Sequence, residues 1–220
     1  MTLTVSPKLW TLFDTRKGLI NSTVTSLKFS DLSGQNSAAK YEVEDVKVED
    51  FYIPKSGISF QDVNNGIKIE IKDIHFAAKA KIKAKIGPTI PGRWFHLANA
   101  KGTAIVRSEK SRLDVELQWK NFTFIPVVNM NSNIRIAFTE NLNLLNLAKN
   151  NMASMVNSKI NGLVHKKIKE AVKNYANPLL QQLKQQMVSF GYGDYDIEWM
   201  VQNSSLGVAV KPNAVNEALT

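Results

Sequence analysis

From Ile67 to Ile86 the sequence alternates apolar and polar residues along one unbroken stretch, and midway it changes step. Ile67, Ile69 and Ile71 hold odd positions, whereas Phe76, Ala78, Ala80, Ile82, Ala84 and Ile86 hold even ones. A period of two marks a strand with one wet face. A switch of parity across Lys72-Asp73-Ile74-His75 is how a bulge or sharp bend inside a single long strand reads. A sheet built on such a strand cannot lie flat, and it curls around something.

The same period extends from Tyr41 to Phe138. Val43, Val46 and Val48 precede the long strand; Gly102 to Arg107, then Leu113, Val115, Leu117 and Trp119, then Ile134, Ile136 and Phe138 follow it. Between them Gly87-Pro88-Thr89-Ile90-Pro91-Gly92 is too dense in turn residues to continue a ladder, which predicts a hairpin tip. The sheet is expected to be antiparallel and meandering. Near Leu142 the period becomes 3.6: Leu144, Leu147, Met152, Met155, Val156, Ile160, Leu163, Val164, Ile168, Ala171, Val172 and Tyr175 form an apolar stripe free of proline. That spacing predicts a helix of about thirty residues, roughly 45 Å long. Asn177-Pro178 supplies a cap and a first-turn proline, predicting a second, short helix through Leu179, Leu180, Leu183 and Met187 that Gly191 and Gly193 end. A last strand is expected near Tyr195 to Val201, and a short N-terminal helix across Pro7 to Ile20.

The fold class that follows is α+β: a long, highly curved antiparallel sheet, a half-open barrel, wrapped on one long helix of the C-terminal half. Apolar residues run evenly from Leu9 to Val210 without a Gly/Ser-rich or Pro-rich divider, so residues 1–212 are expected to form a single domain, with 213–220 a flexible tail. At 44% apolar content the chain can bury roughly 70% of its unfolded surface, enough for a core without staples.

With 28 Lys+Arg against 19 Asp+Glu, the formal charge is +9, which favours anionic partners: phospholipid, glycolipid or nucleic acid. Lys79, Lys81, Lys83 and Lys85 alternate with apolar residues and leave one face of one strand about 7 Å apart. No acidic residue falls between Asp73 and Glu109, so the ladder is uncompensated within its own segment. It is either a headgroup-binding surface or a solvated face that lysines protect from edge-to-edge pairing. Trp94-Phe95, beside Arg93, is either an interfacial wedge or a buried strand start. A nucleic-acid binder would interleave stacking aromatics with its cations, whereas this ladder interleaves alanine and isoleucine. Catalysis finds no support: G-x-S-x-G, cysteine and the phosphate-cradling glycine loops are missing, and His75, His96 and His165 have no ligand spacing. No enzyme, cofactor or metal is expected. Met1 to Gly18 lacks a signal peptide's apolar core, and no run is long enough to span a bilayer. Zero cysteines point towards a reducing compartment, while Asn21, Asn121 and Asn203 are acceptor patterns compatible with secretion.

Several segments are similar, in order, to the tubular lipid-binding superfamily, and within it to the N-terminal barrel of the bactericidal/permeability-increasing protein and lipopolysaccharide-binding protein family. They are Phe29-Ser30-Asp31-Leu32-Ser33-Gly34, Gly57-Ile58-Ser59-Phe60, Gly66 to Asp73 with its acid at the parity break, Leu142 to Leu147, Val164 to Glu170, Leu179-Leu180-Gln181-Gln182-Leu183 and Asp194-Tyr195-Asp196-Ile197. Each alone is a common amphipathic pattern; together they keep the family's order across about residues 29 to 205. The chain departs from the family in lacking the disulfide that would fall near Val127 and Lys167 or Ile168, in a shorter N-terminal helix, and in stopping after one barrel instead of two, as either a single-barrel member or a fragment of a two-barrel protein.

The resemblance implies a non-enzymatic, innate-immune type of lipid binder, processed and secreted, although a cytosolic location stays open. Its apolar groove would hold acyl chains between the helix stripe of Leu144, Leu147, Met152, Met155, Val156, Ile160, Leu163 and Val164, the sheet residues Ile69, Ile71, Phe76, Ala78, Ala80, Ile82 and Ala84, and Leu9, Leu12 and Phe13 of the N-terminal helix. The small alanines would leave the room, unless methionines and aromatics close it. Lys79, Lys81, Lys83 and Lys85, with Arg93 and Lys101 on the hairpin tip, would meet the anionic headgroups of lipopolysaccharide or phospholipid, so the partners are lipid and, peripherally, a membrane or bacterial surface. A lipid carrier without surface recognition is the alternative, and a nucleic-acid-binding or structural domain a further one.

Overall fold

The computed structural model describes residues 2–4, 10–11, 14–15, 18, 22, 24–26, 29–35, 38–139, 145, 149–202 and 205–212. Leu9, Leu12, Phe13, Leu144 and Leu147 of the expected groove, and the expected tail, lie outside them. The strands are β1 (Thr2–Thr4), β2 (Leu32–Gln35), β3 (Ala39–Tyr52), β4 (Ile58–Val63), β5 (Gly66–Ile86), the two-residue β6 (Thr89–Ile90) and β7 (Arg93–Trp94), β8 (Ala98–Lys120), β9 (Thr123–Asn131) and β10 (Ile134–Phe138). Helices α1 (Lys149–Ala171) and α2 (Asn177–Ser189) follow, then β11 (Tyr195–Gln202) and β12 (Ser205–Pro212).

β5 and β8 pair antiparallel from Gly66↔Gln118 to Ile86↔Ala98 and form the axis of a curled seven-stranded sheet. β3 and then β2 continue it beyond the upper half of β5, and β4 covers the lower half; β10 and β9 do the same for β8. The bend announced by the parity switch is present, and it is double. Two residues of β5 oppose one of β8 between Ile71 and Ile74, and two of β8 oppose one of β5 between Ile74 and Phe76. Asp73 (φ 54°) and Lys110 (φ 58°) take the left-handed turns these bulges require. The second bulge restores the register that the first displaced, so both strands kink while their pairing survives. Gly102 to Arg107 and Leu113 to Trp119, separate strands by sequence pattern, are therefore one strand, with inward positions even before the kink and odd after it. At the tip, Pro91-Gly92 turns β6 into β7 with Gly92 at φ 74°, a conformation that suits glycine.

The expected break between two helices is absent. Val172–Ala176 form a π turn, and both Ala171 and Asn177 keep helical angles (φ −63° and −62°), so the rod runs unbroken from Lys149 to Ser189, roughly 60 Å at 1.5 Å per residue. The wider turn accommodates Pro178, whose missing N–H and bulky ring a regular α turn would not tolerate. Asn177 is thus no cap. Its Oδ1 accepts from Phe124 N at 2.8 Å and its Nδ2 donates to Phe124 O at 3.1 Å, closing the edge of β9 as a neighbouring strand would. Asn177→Ala leaves two buried backbone groups unpaired and is expected to cost about 1–2 kcal/mol, read as a lower urea midpoint at unchanged slope.

The interior divides by level. Under the tip, Tyr41, Val43, Ala78, Ala80, Ile82, Ala100, Ala104 and Val106 pack on Leu145, Met152 and Ile160. At the bend, Ile74, Leu113, Val115 and Val128 meet Val164 and Ile168. At the far end Trp119, Phe122 and Phe124 pack with Val172, Ile197 and Leu206, joining the main sheet to a second one of order β1-β12-β11. The Tyr195 strand was legible in sequence; β12 and β1 were not.

Candidate functional site

Between α1 and the kinked part of β5 and β8 lies an apolar cavity of about 250 Å³. Ile160, Leu163, Val164 and Ile168 roof it, Ile74, Phe76, Leu113, Met130 and Ile134 floor it, and Val24, Phe29, Phe51 and Ile53 close its sides. Its wall at the kink is made partly of serines, Ser108 and Ser111 of β8 and Ser132 between β9 and β10, and these small side chains leave room. Ser108 Oγ donates to the Ile74 carbonyl, between the two bulges, at 3.2 Å. Ser132 Oγ lies within hydrogen-bonding distance of the side-chain oxygens of Asn157 and of Asn161, the latter at 2.8 Å. Lys167 also lines the cavity; its side chain is exposed and its ammonium pairs with Glu170 at 3.1 Å.

Of the expected groove residues, Phe76, Ile160, Leu163 and Val164 line this cavity. The alanine stripe does not hold the room. Ala78, Ala80, Ile82, Met152 and Val156 line, with Phe76 and Ile160, a narrow extension of only about 30 Å³. Met152, 1% exposed, fills the volume the alanines release, helped by Phe29 and Val46. Ala84 is buried in the same core and Met155 packs against it, while Ile69 and Ile71 pack against the core at the bend; none of these lines either space. The serines that open the cavity were missed because a polar residue inside a strand pattern reads as the wet face.

On the outer face Lys79, Lys81, Lys83 and Lys85 are exposed, as their parity predicts. The ladder is not left uncompensated, because antiparallel pairing brings the acidic stretch of β3 alongside it. Lys79 pairs with Glu49, Lys81 with Asp45 and Lys83 with Glu44, each at 2.7 Å. The hydrogen bond from Lys81 holds the Asp45 carboxyl below the usual carboxylate range, and Asp45 in turn raises Lys81; Glu44 likewise raises Lys83. Exposed pairs of this kind add little stability, but they cancel the local field.

Nearer the tip the balance reverses. The register sets Lys85 opposite Lys40 of β3 and Lys83 opposite Lys101 of β8, with Cβ atoms about 5 Å apart, a spacing at which like charges repel. Lys85 and Lys101 have no carboxylate partner among the described residues, and Lys40 Nζ sits 4.8 Å over the Trp94 ring. These four lysines, with Glu42 as the lone acid, line an open cleft of about 570 Å³. Above it the hairpin exposes Arg93 and three apolar side chains: Ile90 at 53%, Phe95 at 49% and Leu97 at 74%. Trp94 is half-buried, stacked on His96 at 5.9 Å. Lys40 was not foreseen, since only the pairing of β3 with β5 brings it to the tip.

Among the described residues no cluster of three or more His, Asp or Glu is placed to hold a metal, and no helix is long and apolar enough to cross a membrane. No protein-family model and no curated protein sequence matches the chain. Among solved structures it is similar to lipopolysaccharide binding protein, with a TM-score of 0.60 at 16% identity, over 91% of this chain and 47% of that one. The chain therefore spans about half the length of the protein it matches. It also aligns with Takeout 1 of Epiphyas postvittana at 12% identity over 78% of this chain and 88% of that one, where a TM-score of 0.31 is too low to support an argument. The fold is that of the matched half of lipopolysaccharide binding protein, a curled antiparallel half-barrel on one long helix.

Proposed function

We propose that this chain is a non-enzymatic lipid-binding protein that takes an acyl chain into the cavity under α1 and meets anionic headgroups with the tip. The observation that carries the reading is the cavity itself: about 250 Å³ of apolar space beneath α1, more than native interiors leave unfilled. Each methylene entering it contributes about 0.8 kcal/mol. At the tip, Lys40, Lys85, Lys101 and Arg93 supply charge for phosphate groups of lipopolysaccharide or anionic phospholipid, and Ile90, Phe95 and Leu97 supply apolar anchors beside them. The fold likeness to lipopolysaccharide binding protein supports this direction. A carrier that lacks surface recognition is the second reading, favoured by the neutralisation of Lys79, Lys81 and Lys83 on β3.

Filling the cavity tests the first half. Leu163→Trp with Val164→Phe is expected to empty the protein of co-purifying lipid in native mass spectrometry while its circular dichroism stays that of the wild type, which carries lipid. A ligand-free wild type, or an equal lipid load in both proteins, would sink the reading.

A further inference from the structure

We propose that the cavity selects a single-chain fatty acid bearing an oxygen within its chain, a hydroxyl or keto group that meets Ser111, with the carboxylate outside at Lys167. This deepens the lipid-binding reading and rests on it.

The volume excludes two chains. An apolar cavity of about 150 Å³ takes a six-carbon ring; in proportion, the 250 Å³ here takes about ten carbons, well short of the thirty or so in the tails of a common phospholipid. The extension over the alanine stripe adds only about 30 Å³.

The oxygen follows from Ser111. It lines the cavity, is 1% exposed, and its hydroxyl has no partner among the described residues. The two other serines of the wall are already engaged, Ser108 with the Ile74 carbonyl and Ser132 with the asparagines of α1. Ser111 sits directly across from Ile74 between the two bulges, where the pairing of β5 with β8 is interrupted on either side. A saturated chain would leave this hydroxyl unmet, whereas a chain hydroxyl or ketone satisfies it. An unmade buried hydrogen bond penalises the plain chain about ten-fold. The head group follows from Lys167, the charged side chain of the cavity lining. Its side chain is more than half exposed, and with Lys166 it outnumbers Glu170, so the mouth favours an acid.

The delipidated full chain and its Ser111→Ala and Lys167→Gln variants are titrated with decanoic acid, a positional series of monohydroxydecanoic acids, decanol and dioleoylphosphatidylcholine, by displacement of a fluorescent fatty acid. At least one hydroxydecanoate is expected to bind the wild type about ten-fold more tightly than decanoate. Ser111→Ala should erase that preference, so that it binds the hydroxy acids no more tightly than the plain acid, and Lys167→Gln should weaken the acids but not the alcohol. The inference is overturned if no isomer is preferred, if the preference outlives Ser111→Ala, or if the two-chain lipid binds as tightly as the acids. Failure of every lipid to bind would instead remove the lipid-binding reading beneath it.

Discussion

Exchanging Lys40, Lys85 and Lys101 together for glutamine is expected to lower affinity for vesicles containing phosphatidylserine by about a hundred-fold at physiological salt. Each lysine near an anionic surface contributes about 1 kcal/mol, and 1.4 kcal/mol is a factor of ten. The effect belongs to these three because Lys85 and Lys101 lack a carboxylate partner among the described residues and Lys40 stands over an indole ring. The control removes charge without changing its sum. Lys81→Gln with Asp45→Asn, combined with Lys79→Gln and Glu49→Gln, deletes two ion pairs and should leave vesicle binding within about three-fold. Co-sedimentation across a salt series measures both, since electrostatic binding weakens as the Debye length shrinks. If the two variants bind alike, the tip is not a headgroup site and the carrier reading prevails.

What was legible in the sequence is what a single strand or helix carries within itself. Ile67 to Ile86 shows its period, its bend and its wet face because each inward position is apolar and each outward one except Ala77 is polar or charged, so the burial of Ala78, Ala80, Ile82 and Ala84 and the exposure of the lysines between them needed no partner to be read. The bend in β8 was hidden. Ser108-Glu109-Lys110-Ser111-Arg112 contains no apolar residue, so the parity switch has nothing to mark it, although Ser108 and Ser111 point inward and are buried. Pairing between strands was equally out of reach. The acids of β3 and the lysines of β5 that pair stand thirty to thirty-nine residues apart in the chain, and the same register that neutralises Lys79, Lys81 and Lys83 assembles the cluster of Lys40, Lys85 and Lys101.

The same limit explains why the room was misplaced. Small side chains on one wall predict a void only if the facing wall is fixed, and here the facing wall is a helix whose Met152 reaches down to the alanines. Methionine, unbranched and flexible, closes irregular gaps. At the kink the opposing residues are branched, Leu163, Val164 and Ile168, and they face the small Ser108 and Ser111 on either side of a bulge. Space survives where small wall residues meet a facing wall that cannot reach down to them.

Trp119→Ala is expected to cost about 3–5 kcal/mol, the range for emptying a large buried aromatic site and about a fifth or more of a typical domain's stability. Trp119 is 3% exposed on β8, and its ring meets Phe122 at 5.4 Å, Phe124 of β9 at 5.1 Å and Trp199 of β11 at 5.7 Å. Its Nε1 donates at 3.1 Å to Asp196, whose same oxygen accepts from Ile197 N at 2.7 Å. One side chain thus holds two sheets in place, and the strands around it are pinned by their own ladders, which limits collapse into the void. Trp119→Phe keeps most of the aromatic contact and leaves Asp196 one backbone donor, so about 1–2 kcal/mol is expected from the lost hydrogen bond and volume. Urea denaturation ranks the two, and native-state hydrogen exchange locates the damage. Amides of β11 and β12 should lose protection before those of the upper half of β5, because their docking depends on this ring. A cost below 1 kcal/mol for the alanine variant, or protection lost equally at the tip, would show that the two sheets are not joined through Trp119.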